Sequence, residues 1–277
     1  MTIEIIKSLV DAQLYDVAWQ IARVKSGQSE ELWVTTPHED ASFLAEKLGL
    51  PLNKVFDVYS QQYLCELKVH LGIFWTDLPV PNNAKFIMDK DGSKYVVSFG
   101  RVIAKIRCFN GSPRIVQSVT WLTSSGDIDY KSIYQRDGHL FAVQYFNDNK
   151  LFVTEYYFGY GDRKVTDFYN ESQRDFVYAF NDKYESFEHY VADVLHRVTN
   201  NMFNLTRINN LLTLLPNNTI ITFVDGITDE HGEIKPIIKQ LLSQSKKYFV
   251  EIRVTTKDYD LLEMSGLNHK THHITMI

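Results

Sequence analysis

Apolar and polar positions change their period twice along this chain. In the first stretch Val10, Leu14, Val17, Ala18, Ile21 and Val24 fall on one helical stripe, with Gly27 as its stop. "ELWVTT" follows as a buried strand ended by Pro37, and "KVFDVYS" as a second strand. Between them "HEDASFLAEKLG" carries acids in its first turn and a glycine at its end, as a short helix does. At 77–83, "DLPVPNN" predicts a connection. Beyond it short strands are predicted at 84–89, 94–99, 101–109 and 114–123. A meander follows, punctuated by GD at 126, RDG at 136, NDN at 147 and GYGD at 159. The helical period returns in "YESFEHYVADVLHRV", where Phe187, Tyr190, Val191, Val194, Leu195 and Val198 form one stripe. A second helix is predicted over "LTRINNLLTLL". Alternation of strand and helix then resumes through "TIITFVDG", "IKPIIKQLLSQS", "YFVEIRVTT", "YDLLEMSG" and a final strand in "HHITMI".

These patterns predict an α/β plus β chain, with a Rossmann-like α/β layer from both chain ends and an inserted antiparallel β-meander domain. The expected divisions are 1–76 for the N-terminal Rossmann-like segment, 77–182 for the extended antiparallel sheet, and 183–277 for helices and the C-terminal Rossmann-like segment.

Aromatic residues make up 13% of the chain and crowd the meander. Two-residue turns at Ser125-Gly126, Asp137-Gly138 and Asp148-Asn149 would set Trp121 opposite Tyr130, Tyr130 opposite Tyr145, Tyr134 opposite Phe141, Tyr145 opposite Phe152 and Phe141 opposite Tyr156. The loop at 159–162 would bring Phe152 near Tyr169 and Tyr156 near Val165. Side chains alternate faces along a strand, so Trp121, Tyr130, Tyr134, Phe141, Tyr145, Phe152, Tyr156 and Tyr169 are expected on one face. The other face would carry Lys131, Ile133, Gln135, Ala142, Gln144, Val153, Glu155, Lys164 and Thr166. Such a Tyr-rich face serves either as core against the helices at 184–215 or as a surface for a polypeptide, and a free sheet edge adds a place for strand addition.

Charge changes the picture mainly by exclusion. With 29 Lys+Arg against 34 Asp+Glu and no basic run, nucleic acid is not an expected partner. The N-terminus lacks the pattern of a signal peptide, no apolar run is long enough to cross a bilayer, and Cys65 and Cys108 suit a reducing compartment; a cytoplasmic location is expected. The candidate chemistry is thin. Asp127 and Asp129 form an Asp-x-Asp inside a hairpin, where turn hydrogen bonding explains them. Glu31 and Glu39, spaced as in some glycosyltransferases, span a strand and the next helix. "GYG" at 159–161 precedes no helix start. His269, His272 and His273 read as a solvated chain end, and His189 and His196 as a packed or surface pair on one helix. No nucleophile, metal or cofactor site is expected.

The segment "RIVQSVTWLTSSGDIDYKSIYQRDGHLFAVQYFNDNKLFVTEYYFGYGDRKVTDFYN", with "WTDLPVP" before it and "YESFEHYVADVL" after it, resembles the extended β-sheet domain of the bacterial enzymes that glycosylate serine-rich-repeat adhesins. Within that family it is most similar to the stabilising, chaperone-like subunit of the O-GlcNAc transferase of the accessory Sec system. The resemblance covers residues 60–215. It implies a partial GT-B-like architecture, pairing with a catalytic glycosyltransferase, recognition of a Ser/Thr-rich acceptor protein through the aromatic face, no transferase activity of its own, and a cytoplasmic place extending to the inner face of the membrane as a peripheral protein. A second Rossmann domain is expected to be missing. Two other readings stay open: a glycosyltransferase, or half of one, and a carbohydrate-binding module.

Overall fold

The computed structural model describes residues 1–68, 71–158, 162–208, 214–243, 250–267 and 273–277. In chain order the elements are β1 (Thr2–Ile6), α1 (Tyr15–Ser26), β2 (Glu31–Val34), α2 (Ala41–Lys47), β3 (Val55–Asp57) and β4 (Gln62–Tyr63). An antiparallel series follows: β5 (Ala84–Met88), β6 (Lys94–Ser98), β7 (Arg101–Cys108), β8 (Val116–Leu122), β9 (Ile128–Tyr134), β10 (Leu140–Asn147), β11 (Lys150–Phe158), β12 (Asp162–Asn170), β13 (Gln173–Ala179) and β14 (Asp182–Tyr184). The chain then runs through α3 (Phe187–His196), β15 (Met202–Leu205), β16 (Thr219–Phe223), α4 (Pro236–Ser243), β17 (Glu251–Val254), α5 (Thr256–Met264) and β18 (Ile274–Met276). It divides into two compact units: Met1–Pro37, Leu44–Cys65 and Val191–Ile277 form one, and His38–Phe43 with Glu66–Tyr190 the other.

The first unit is built on an eight-stranded sheet in the order β18-β17-β16-β15-β1-β2-β3-β4, parallel except for the β3–β4 pair. Both chain ends therefore contribute to one Rossmann-like layer, as the alternating pattern predicts. The strands are apolar on both faces, with Ile3, Leu32, Val55, Phe203, Ile220, Ile221 and Ile252 buried, as strands covered on both sides require. Helix α1 stops where expected: Gly27 takes a left-handed conformation and its amide caps the Arg23 and Val24 carbonyls. Val10 is not on that helix but exposed, in a 3-10 turn at Leu9–Asp11.

Two central strands were missing from the pattern. In β1 the apolar run is broken by Glu4, which is wholly buried and receives hydrogen bonds from Gln20, Arg23, Ser29 and Asn204. In β15, "MFNL" is too short and too mixed for a periodic signal. Leu205, expected to begin a helix, ends this strand instead, and residues 209–213 of that expected helix lie outside the described residues.

The second unit is a ten-stranded antiparallel sheet in simple sequence order from β5 to β14. The strands predicted at 84–123 match β5 to β8. The stretch at 77–83, expected as a connection, is partly core. Leu78 is buried with Val96, Ala104, Ile106, Val116 and Val119, and Ile73, Trp75 and Val80 pack against that cluster. The Trp75 amide donates to the Arg114 carbonyl at 3.0 Å, and Val116 to that of Ile73 at 2.9 Å, which ties the segment to the sheet.

Candidate functional site: an aromatic groove on the meander sheet

Which side chains share a face depends on the turns and bulges. The β8–β9 and β9–β10 connections are wider than two residues: Thr123 bonds to Asp127, and Gln135 to His139. Each is followed by a bulge, between Trp121 and Leu122 and between Leu140 and Ala142, and the added residues restore the expected pairs Trp121–Tyr130 and Tyr130–Tyr145. The Asp148–Asn149 turn has two residues as expected, with positive φ at both. Here the bulge between Tyr145 and Phe146 has no wide turn to offset it. Tyr145 therefore pairs with Val153, and Tyr156 with Ala142. Ala142 and Tyr145 are three apart along unbroken pairing, so Tyr156 and Tyr145 point to opposite faces.

The single aromatic face is thus corrected to two. On one face Trp121, Tyr130, Tyr145 and Phe152 run as a continuous string, with ring centroids 6.0, 6.4 and 6.4 Å apart. On the other, Tyr156 packs with Phe141 and Phe158 at 5.9 and 6.1 Å, and all three are buried. Phe141 is the added residue of its bulge, so Tyr134 pairs with Leu140 instead. Tyr169 also belongs to the second face, where its hydroxyl meets Thr154 and the buried Asp167. Arg174 links Asp167 to the Phe187 ring at the start of α3, so the helix start meets the face opposite the string.

The string has two environments. At one end Trp121, with Tyr134 beside the string, is partly buried and packs against the Leu78 cluster. Burial pushes the Tyr130 phenol up, and the Asp129 charge and Tyr134 add to the effect. Beyond Tyr145 the face opens into a concavity of ≈ 550 Å³ lined by Tyr145, Phe152, Val153, Glu155, Lys164, Thr166, Phe168, Tyr178, Phe180 and Asn181. The β11 shift brings Val153, Glu155, Lys164 and Thr166 here, although they were expected on the opposite face. Phe168 stacks on Phe176 at 4.4 Å, and Tyr178 meets both rings edge-on at 5.9 Å. Phe152, Tyr178 and Phe180 are 44%, 44% and 38% exposed, so these rings are only partly used in packing. Within it Glu155 accepts hydrogen bonds from the Tyr157 hydroxyl at 2.8 Å and the Tyr145 hydroxyl at 3.3 Å. Aromatic walls over a few convergent polar groups are the make-up of a recognition groove.

Sequence reasoning did not find Phe168, Phe176, Tyr178 and Phe180. The signal was present in "DFVYAF", where Phe176, Tyr178 and Phe180 alternate with period two, but assigning them a face required the bulges.

The remaining candidates resolve into local structure. Asp127 accepts from Ser125 and Asn149 in its turn, which holds its carboxyl below the usual range. Glu31 accepts from Trp33 and Tyr63, whose phenol is pushed up to about 12 by burial and by that carboxylate. Glu39 accepts from Gln117 at 2.6 Å. His189 meets Ser186, and His196 the Ala192 carbonyl. "GYG" at 159–161, His269 and His272 lie outside the described residues. Among the described residues no cluster of His, Cys, Asp and Glu could hold a metal, and no helix is long and apolar enough to cross a membrane. In the parallel sheet the strand order reverses between β1 and β15, where open α/β sheets often bind ligands. There Arg207 is already engaged bidentately by Asp16, whose carboxyl it holds low against the opposing effect of burial.

Residues 87–190 match a family model described as the GtfB middle domain. No curated sequence matches the chain. Among solved structures, the complex of accessory secretory proteins 1, 2 and 3 from Streptococcus pneumoniae has a chain that superposes with TM-score 0.74 at 14% identity, covering 100% of this chain and 61% of that one. The glycosylation-associated Gap123 complex of Streptococcus agalactiae gives TM-score 0.73 at 12% identity, covering 100% and 60%. The pneumococcal O-GlcNAc transferase GtfA, bound to UDP and GlcNAc, gives 0.75 at 11%, again covering 100% and 60%. The fold is shared with all three, and the chain spans about three fifths of their length.

Proposed function

We propose, from the match of residues 87–190 to a GtfB middle-domain model, that this chain is a non-catalytic partner subunit for protein O-glycosylation. In this reading it binds a catalytic glycosyltransferase and receives a Ser/Thr-rich acceptor polypeptide in the groove between Tyr145 and Phe180. The observation that carries the reading is that this family-matched sheet leaves one stretch of its aromatic face open, as a concavity lined by rings and a few polar side chains. The full-length superpositions support reading the parallel sheet as one half of a GT-B-like architecture. Work in the cytoplasm, extending to the inner face of the membrane, follows from the same reading.

The test is a titration of an unglycosylated Ser/Thr-rich peptide, with Tyr145→Ala and Tyr178→Ala as the groove variants and retention of a catalytic glycosyltransferase as a second readout. The reading expects saturable peptide binding, weakened about tenfold or more by either variant, and partner retention by the wild type. Failure to bind both peptide and transferase rules it out. A second reading is favoured by the equally good superposition on a UDP-bound transferase: that the chain is part of a glycosyltransferase. Heat on titration with UDP-sugars, or transfer by the reconstituted complex, would select it.

A further inference from the structure

Phe180 stands in the groove wall in a backbone conformation that phenylalanine disfavours. Ala179 pairs directly with Asp182, so Phe180 and Asn181 are the two central residues of the β13–β14 turn, with φ of +51° and +78°. Such turns need positive φ at both centres, which Asn, Asp and Gly supply readily. A side chain with a bulky Cβ substituent is disfavoured there. Asn181 suits its place and Phe180 does not. The turn is nonetheless fixed, because the Phe180 amide donates to the Lys164 carbonyl on the neighbouring strand at 3.1 Å. Burial does not account for the ring, which keeps 38% of its surface exposed.

Strain alone assigns no role, since Phe99 occupies the same position of the β6–β7 turn with φ of +48°. The two differ in surroundings. Phe99 is 94% exposed, whereas Phe180 lines the groove beside Tyr178, Phe168 and Asn181. The groove carries one acid and one base, Glu155 and Lys164, so it presents little net charge to a ligand. Its rings suit methyl and methylene groups, and its carboxylate and side-chain amide suit hydroxyls. An extended, neutral, hydroxyl-rich polypeptide combines both.

We propose that Phe180 is a specificity-determining anchor of the groove, held at positive φ so that its ring clamps a Ser/Thr-rich chain against Tyr178. This rests on the groove reading above and adds to it the residue that sets affinity. The experiment uses the full chain and a fluorescein-labelled, unglycosylated Ser/Thr-repeat peptide, with Phe180→Asn, Phe180→Tyr and Phe99→Asn measured beside the wild type for both affinity and Tm. Phe180→Asn is expected to bind about tenfold more weakly, with Tm within about 2 °C of wild type because relief of strain and loss of ring burial oppose each other. Phe180→Tyr keeps the ring and should keep the affinity. Phe99→Asn should keep the affinity and raise Tm by about 2–4 °C. Wild-type affinity in Phe180→Asn, with the peptide bound normally by the parent, overturns the role of Phe180 and leaves the groove reading standing. Absence of peptide binding in the wild type, or binding of a free oligosaccharide in its place, removes both.

Discussion

Arg136 offers the most demanding test of how the second unit is held together. Its guanidinium makes two hydrogen bonds to Asp40, 2.5 and 2.8 Å long, and the two side chains are only 7% and 12% exposed. Phe43 and Phe109 lie under and over it, at 3.7 and 4.5 Å from ring centroid to guanidinium carbon. Arg136→Ala leaves a largely buried carboxylate without its ion-pair partner, a loss of about 3–5 kcal/mol for a broken buried pair. The two ring contacts account for about 1 kcal/mol each on their own. These contributions overlap, so about 4 kcal/mol is the expected total. Urea unfolding followed by tryptophan fluorescence measures it, with hydrogen exchange of β9 and β10 amides assigning the loss to this unit. Replacing both partners with apolar residues, Arg136→Met with Asp40→Leu, should recover most of the loss, to within about 1 kcal/mol of wild type. A cost below about 1 kcal/mol for Arg136→Ala, or a double variant no more stable than the single one, would refute a buried, paired role for Arg136.

Three other outcomes follow from single positions. A Cβ on Gly72 would lie 2.4 Å from the Arg136 carbonyl oxygen and 2.9 Å from Ile115, so Gly72→Ala should cost about 2 kcal/mol by forcing the backbone apart; unchanged thermal stability would refute this. Tyr156→Ala should cost about 3–4 kcal/mol by emptying the packing with Phe141 and Phe158, while the folded fraction binds peptide as the wild type does. Burial pushes the Asp57 carboxyl up to about 6, against opposing bonds from the Tyr59 amide and from Ser60. The folded state then holds the proton more tightly than the unfolded chain, so stability is full below pH ~4 and falls by about 3 kcal/mol as pH rises through 6. Asp57→Asn should flatten that slope, and a slope that persists in the variant would assign it elsewhere.

Most of the architecture was legible because burial imposes periodicity. The strands of the second unit lie in simple sequence order, so each turn signal marked a real reversal. In the parallel sheet, β2, β3, β16 and β17 announce themselves as apolar runs. β1 does not, because Glu4 interrupts it, and only the fold brings Gln20, Arg23, Ser29 and Asn204 together to satisfy that carboxylate. The aromatic face was legible as far as Tyr145. There the sequence carries no mark of the bulge at Phe152, and one extra residue sends Tyr156 into the core and opens the groove to Phe168, Tyr178 and Phe180. The proposed function was legible only through the resemblance, which rests on turn-and-aromatic patterns; the groove is lined mostly by rings, with Glu155 and Lys164 its charged groups.

The central claim is a location: an acceptor chain lies along the groove face of the antiparallel sheet. Site-specific photo-crosslinking tests it most directly, with benzoylphenylalanine placed at Tyr178 in the groove or at Phe99 in the exposed β6–β7 turn. A labelled Ser/Thr-rich peptide should be captured from position 178, be displaced by unlabelled peptide, and not be captured from position 99. Equal capture from both positions, or capture from 99 alone, would contradict the account.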